Sequence, residues 1–276
     1  MTYQVKGTAF ITGGASGIGK ATAHVLAQNG ISAIALVDVN LPLLEETQKE
    51  LQSEYAQLRV AVLQVDVTDE VSVEAAVRKT AEEFGRIDVG VNAAGISGRP
   101  GLSHDLELSD WQKVIDINQT GLWICQRALI RQMLKQETRG AREGRGSIVN
   151  IASMFGVTAP PGEFGAAPYV ASKHGAFCLA GLGSANEPAV VGMTKMDAKS
   201  YAREGIRINA ICPGWVETPM ISRMIESGVL DTQFAMIPLG RPAVTDEIAN
   251  AILFLASPMS SYMCGAAMVV DGGLSA

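Results

Sequence analysis

The alternation of short apolar runs with longer amphipathic stretches constrains this chain more than any other feature. β-Branched runs recur at Thr8–Thr12, Ala33–Asp38, Val60–Asp66, Val89–Ala93, Ser147–Ile151, Arg207–Cys212 and Met268–Val270. Between them, helical patterning covers Gly17–Asn29, Leu41–Tyr55, Glu70–Phe84, Asp110–Gln136, Tyr169–Glu204 with an interruption, and Thr245–Ala256. Several strands are apolar almost throughout, as parallel strands are when helices cover both faces of a sheet. Right-handed crossovers then lead to an α/β fold with one doubly wound parallel sheet of about seven strands. Gly30 and Gly85 fall where helix C-caps are expected, and the polar run Glu137–Arg145 reads as a solvated connection. With 276 residues, 47% of them hydrophobic, the chain is expected to form a single domain over 1–276.

Composition removes several functional classes. A formal net charge of -6 argues against a sequence-independent grip on nucleic acid. Cys125, Cys178, Cys212 and Cys264 have no paired spacing for zinc or a redox disulfide, and His24 and His104 lack partners at metal spacing, so no metal is expected. No apolar run approaches the roughly 20 residues needed to span a bilayer, and the N-terminus leads straight into the first strand. A cytoplasmic protein is expected.

The first strand ends at Thr12 and opens into Gly13-Gly-Ala-Ser16-Gly17-Ile18-Gly19. Glycines between a strand and a helix let backbone approach a pyrophosphate, and the helix N-terminus supplies N–H groups and positive dipole potential. Asp38 closes the second strand, where a carboxylate can accept hydrogen bonds from an adenosine ribose and repel a 2′-phosphate. Two unit charges ~5 Å apart at an effective dielectric of ~20 interact by roughly 3 kcal/mol. NAD is therefore expected in preference to NADP. Further along, Tyr169 and Lys173 stand four residues apart on one helical face, where an ammonium can favour a phenolate and lower a pKa of about 10.

The glycine loop, Asn92-Ala-Ala-Gly95, Asn118, Ser147-Ile-Val-Asn-Ile-Ala-Ser153 and Tyr169-Val-Ala-Ser-Lys173, in that order, resemble the classical short-chain dehydrogenase/reductase family over almost the whole chain. The resemblance implies a Rossmann-type sheet and an NAD-dependent oxidoreductase acting on CH–OH donors, interconverting a secondary alcohol and a ketone. Tyr169 is then the general acid/base, Lys173 its electrostatic partner and a ribose ligand, Ser153 the holder of the substrate oxygen, and Asn118 the residue that positions a proton-relaying water. Plainer readings make Ser153 a strand-end turn residue and Asn118 a mid-helix kink. The family's cofactor pattern falls on Gly13, Ser16, Gly17, Ile18 and Gly19, with Ala15 and Ser16 standing where NADP-binding relatives tend to place Arg or Lys. By the same resemblance Asp66 and Val67 bracket the adenine, Asn92 and Gly95 line the strand end near the ribose, and Pro213, Val216 and Thr218 face the nicotinamide. Asp66 has an alternative as an N-terminal helix neighbour in the turn to Thr68.

Two stretches depart from the family. Ala159–Ala166 lengthens the loop before Tyr169, and Gly175–Pro188 interrupts the helix that begins there, because clustered glycines and a proline oppose helix. The family helix packs against its copy, so a homo-oligomer, dimer or tetramer, is expected but is put in question by the insert. Met154, Phe155, Phe164, Trp215, Met220 and Met224 are the expected pocket lining and point to a small lipophilic or cyclic substrate. The rival reading is a catalytically weak dinucleotide-binding protein whose insert serves assembly or regulation.

Overall fold

A computed structural model of the protein describes residues 4–156, 165–174 and 189–276. The insert at 175–188 and the candidate pocket residue Phe164 lie outside the described residues. From the N-terminus, β1 (Thr8–Thr12), α1 (Gly17–Gln28), β2 (Ala33–Asp38), α2 (Leu41–Glu54), β3 (Arg59–Gln64), α3 (Glu70–Phe84) and β4 (Val89–Asn92) make the first half. Next come α4 (Leu108–Ile115), a π-helical turn (Asp116–Gly121), α5 (Leu122–Met133), β5 (Gly146–Ile151) and α6 (Ala167–His174). The remainder is α7 (Ala189–Tyr201), β6 (Ile206–Pro213), α8 (Ser222–Glu226), α9 (Asp231–Ala235), α10 (Thr245–Ala256) and β7 (Ala267–Val270).

All seven strands pair in parallel, in the order β3-β2-β1-β4-β5-β6-β7. The order reverses between β1 and β4, which opens a crevice at their carboxyl ends. One face of the sheet buries Leu26 of α1, Leu44 and Leu51 of α2 and Ile252 of α10. The opposite face buries Val73 and Val77 of α3, Leu129 and Met133 of α5 and Ala198 of α7. Helix starts and stops follow local chemistry. Asp69 accepts from the Val71 and Ser72 N–H groups to cap α3, and Gly85, with φ of 87°, ends that helix in the left-handed conformation.

Three elements differ from the sequence reading. β3 stops at Gln64, so Asp66 lies in the following turn, where its carboxylate accepts from both the backbone N–H and hydroxyl of Thr68. The helix expected over Asp110–Gln136 is broken into α4, the π turn and α5. Two contacts hold the extra residue of that turn: Asn118 bonds across to Ile96, and a Cβ on Gly121 would stand 2.7 Å from Val67 Cγ2. Finally, α8 and α9 follow β6, where the sequence has no strong helical signal.

Candidate active site

The glycine loop is closed on itself tightly enough to exclude side chains. A Cβ on Gly19 would lie 2.2 Å from the Gly13 carbonyl oxygen, and one on Gly13 would lie 2.8 Å from the Ala93 carbonyl carbon. Gly13 also has φ of 68°, a region that disfavours side chains. Thr12 Oγ1 accepts from the Ala93 and Ala94 N–H groups at 3.1 and 3.2 Å, joining the end of β1 to the end of β4. Ser16 is the extended N-cap of α1, and its side chain makes no capping bond to the helix. Ile18 follows in the first turn of α1, its side chain packed on the core.

Asp38 leans over this loop from β2. Its carboxylate accepts from the Ala15 N–H at 3.4 Å and the Asn40 N–H at 3.1 Å. From the other direction, Thr218 comes within 3.5 Å of where a Gly17 side chain would start. Pro213 ends β6, and Val216 is held by parallel bridging to Ala243, with Ala243 N–H donating to the Trp215 carbonyl. Thus the first loop and the segment after β6, some two hundred residues apart in the chain, face one another across the crevice. Asn92 is buried at the end of β4, and a Cβ on Gly95 would come 3.2 Å from Asn118 Oδ1. Val67 is buried and packs on Gly121, whereas Asp66 is exposed.

Tyr169 and Lys173 lie on α6, beside the end of β5. A side-chain hydrogen bond joins the Tyr169 and Ser153 hydroxyls, and Ser153 Oγ also accepts from the Phe155 N–H at 3.1 Å. Lys173 is buried, 4% exposed, and its Nζ donates to the Ile151 carbonyl at 2.9 Å while standing 5.8 Å from the Tyr169 ring centre. Desolvation pulls the ammonium down to about 8. It also raises the Tyr169 phenol above its usual 10, and the bond from Ser153 acts in the opposite direction. This corrects the simple expectation of a phenol lowered by its neighbouring lysine, because burial outweighs the favourable contact with Ser153.

Asn118 occupies the π turn. Its Oδ1 accepts from the Ile96 N–H and its Nδ2 donates to the Ile96 carbonyl, both at 2.9 Å, and also to Ser172 Oγ at 3.1 Å. Asn118 therefore fastens the loop after β4 to the catalytic-candidate helix α6, one residue from Lys173. Around Tyr169, edge-to-face aromatic contacts run from Tyr169 to Phe155 (6.4 Å), Phe155 to Trp215 (5.4 Å) and Trp215 to Phe234 (6.2 Å). Met154 is buried with Trp215, Leu230 and Ile237, Met224 packs on that cluster, and Met220 is exposed. Phe234 on α9 and Leu230, the residue before it begins, join this cluster from a segment that carries no sequence motif.

A family model described as enoyl-(acyl carrier protein) reductase matches residues 13–275. The short-chain dehydrogenase fogB of Aspergillus ruber is 39% identical over 281 residues, covering 98% of this chain and 97% of that protein. The crystal structure of levodione reductase superposes with a TM-score of 0.83 at 32% identity, covering 99% of this chain and 98% of that one. A structure from Agrobacterium tumefaciens with bound NADP gives a TM-score of 0.80 at 28% identity, with the same coverage. With its sheet order and this site, the chain belongs to the classical short-chain dehydrogenase/reductase family. It is an oxidoreductase acting on CH–OH donors, in a family that binds NAD or NADP. Among the described residues, no helix is long and apolar enough to cross a membrane, and no group of three or more His, Cys, Asp or Glu side chains is placed to hold a metal.

Proposed function

We propose that this protein is an NAD(H)-dependent dehydrogenase/reductase that interconverts a secondary alcohol and a ketone on a small lipophilic or cyclic substrate. The observation that carries the reading is the convergence of Ser153, Tyr169 and Lys173 at the end of β5, beside a glycine loop overlooked by Asp38. The side-chain-free loop and the uncapped N-terminus of α1 fit a pyrophosphate at Gly13, Ser16, Gly17, Ile18 and Gly19. Asp38 would accept from the adenosine ribose, Asp66 and Val67 would bracket the adenine, and Asn92 and Gly95 would line the approach to the ribose. Pro213, Val216 and Thr218 would hold the carboxamide end. The carboxylate of Asp38 supports NAD over NADP, even though one solved relative carries NADP.

When bound, the nicotinamide supplies hydride exchange with the carbinol carbon. The chain's own part is to bind, orient and move a proton. Ser153 holds the substrate oxygen against Tyr169, and the Tyr169 hydroxyl gives or takes the proton at that oxygen. Lys173 holds the cofactor ribose and sets the charge beside the phenol, and Asn118 steadies the route by which Lys173 exchanges protons. Phe155, Trp215 and Phe234 supply an apolar wall suited to a ring or hydrocarbon. The protein functions as one domain and as a homo-oligomer in this reading. A steady-state screen of ketones and secondary alcohols, each with both cofactors, tests it. Turnover with NAD(H) supports the proposal, and absence of turnover with tight NADH binding supports a dinucleotide-binding protein instead.

A further inference from the structure

Four side chains outside the catalytic group form a continuous buried hydrogen-bonded chain. Asn92 Nδ2 donates to Asn150 Oδ1 at 2.8 Å, Asn150 Nδ2 donates to Gln126 Oε1 at 2.5 Å, and Gln126 Nε2 donates to Asp197 Oδ2 at 2.6 Å. Asn92, Asn150 and Gln126 are each at most 1% exposed, and Asp197 is half-buried on α7. A primary amide can face either way along such a chain, because its two ends exchange donor for acceptor. A carboxylate only accepts. Asp197 therefore requires Gln126 to turn its NH2 outward and its oxygen inward, which requires Asn150 to donate to Gln126 and accept from Asn92. Thr194 reinforces this order. Its hydroxyl proton goes to the Val190 carbonyl at 2.7 Å, which leaves the oxygen to accept from Asn150 Nδ2 at 2.8 Å.

The chain ends where the proposed chemistry is held. Asn150 immediately precedes Ile151, whose carbonyl takes the Lys173 ammonium. Asn92 sits level with Asn150 across the sheet and immediately precedes Ala93 and Ala94, which Thr12 anchors. Gln126 lies on α5, the continuation of the π turn that carries Asn118. We propose that Asp197 is a positioning residue for the dinucleotide and catalytic groups: as the acceptor-only end of the Asn92–Asn150–Gln126 chain, it imposes one polarity on three buried amides and so fixes the carboxyl ends of β4 and β5. The functional half of this inference rests on the proposed dinucleotide-dependent activity, and the polarity half does not.

Desolvation raises the Asp197 carboxyl and the Gln126 donor opposes that rise, consistent with a carboxylate whose partner matters. Asp197→Asn is isosteric and keeps a hydrogen bond to Gln126, but an amide there permits both orientations of Gln126 and leaves Thr194 alone to order Asn150. Gln126→Glu sets two carboxylates facing each other. The double variant, Asp197→Asn with Gln126→Glu, restores an acceptor-only group one position inward, at unchanged net charge. With Asn and Gln side chains labelled with ¹⁵N, the wild type should show one set of slowly exchanging amide signals for this chain. Asp197→Asn should broaden or double them, and the double variant should return them to one set. NADH affinity, measured by fluorescence, should weaken about tenfold in Asp197→Asn, the scale of one perturbed hydrogen bond to a charged group, and recover in the double variant. A role in packing alone predicts no change for an isosteric substitution. Unaltered amide signals in Asp197→Asn, or a double variant worse than either single one, would overturn the polarity lock. Altered signals with unchanged NADH affinity would overturn the positioning role, whereas a wild type that binds neither NADH nor NADPH would overturn the functional reading while the amide signals still decide the lock.

Discussion

Replacing Lys173 by methionine should make the protein more stable at neutral pH while removing its activity. Lys173 is buried, and desolvation lowers its pKa from 10.5 to about 8. At about 1.4 kcal/mol for each tenfold change in proton affinity, holding the ammonium charged at pH 7 costs the fold about 3 kcal/mol. Methionine removes that cost and retains most of the apolar contact. It also strips the Ile151 carbonyl of its donor, a loss of about 1–2 kcal/mol. The net gain is then ~1–2 kcal/mol at pH 7. Between pH 8 and 10.5 the unfolded chain keeps a proton at this side chain that the folded chain releases, so wild-type stability gains from this group as pH rises through that window. The methionine variant lacks the gain, and its advantage should disappear by pH 10.5. Tyr55, whose phenol burial also raises, is present in both proteins and cancels from the difference. The Cys212 thiol, raised by burial and pulled down by the Lys173 charge, moves further up in the variant and erodes its advantage at high pH in the same direction. Denaturant unfolding of both proteins from pH 7 to 10.5 reads the effect. A variant less stable than wild type at pH 7, or an advantage independent of pH, would refute the assignment of Lys173 as a desolvated ammonium.

Other outcomes follow from the same contacts. Gly19→Ala places a methyl against the Gly13 carbonyl, and at the ~1–3 kcal/mol typical of overpacking the NADH dissociation constant should rise by about tenfold or more, read by fluorescence titration. Ser153→Ala removes the hydrogen bond that lowers the Tyr169 phenol, so the pH–rate profile for alcohol oxidation should move to higher pH and turnover at pH 7 should fall by about a hundredfold. Asp38→Ala should weaken NAD and relieve repulsion of a 2′-phosphate, lowering the ratio of kcat/KM for NAD over NADP, with part of the effect screened by salt.

The sheet was legible because its strands are nearly unbroken apolar runs, and each one stands where the periodicity put it, apart from shifts of a residue or two at the ends. The placement of the glycine loop, Asp38, Ser153 and the Tyr169–Lys173 pair around the ends of β1, β2 and β5 was legible because turn residues mark strand ends, where open α/β sheets bind ligands. What escaped depends on contacts between distant segments. The sequence offers a mid-helix kink at Asn118 but not its π form, since the partner that holds it, Ile96, lies on another loop. Asp197 belongs to no motif, and its partner Gln126 lies on another helix 71 residues away. The upward direction of the Tyr169 shift is not in the sequence, because helical spacing brings lysine and tyrosine to one face but carries no information on how much water the fold removes around them.

Tyr169 as the proton donor is the central chemical claim. The measurement is NADH binding and carbonyl turnover in Tyr169→Phe, side by side with wild type. The expected result is nearly unchanged NADH affinity with turnover lower by about a hundredfold or more, the scale of lost general acid–base catalysis. Undiminished turnover in the phenylalanine variant would contradict the mechanism outright.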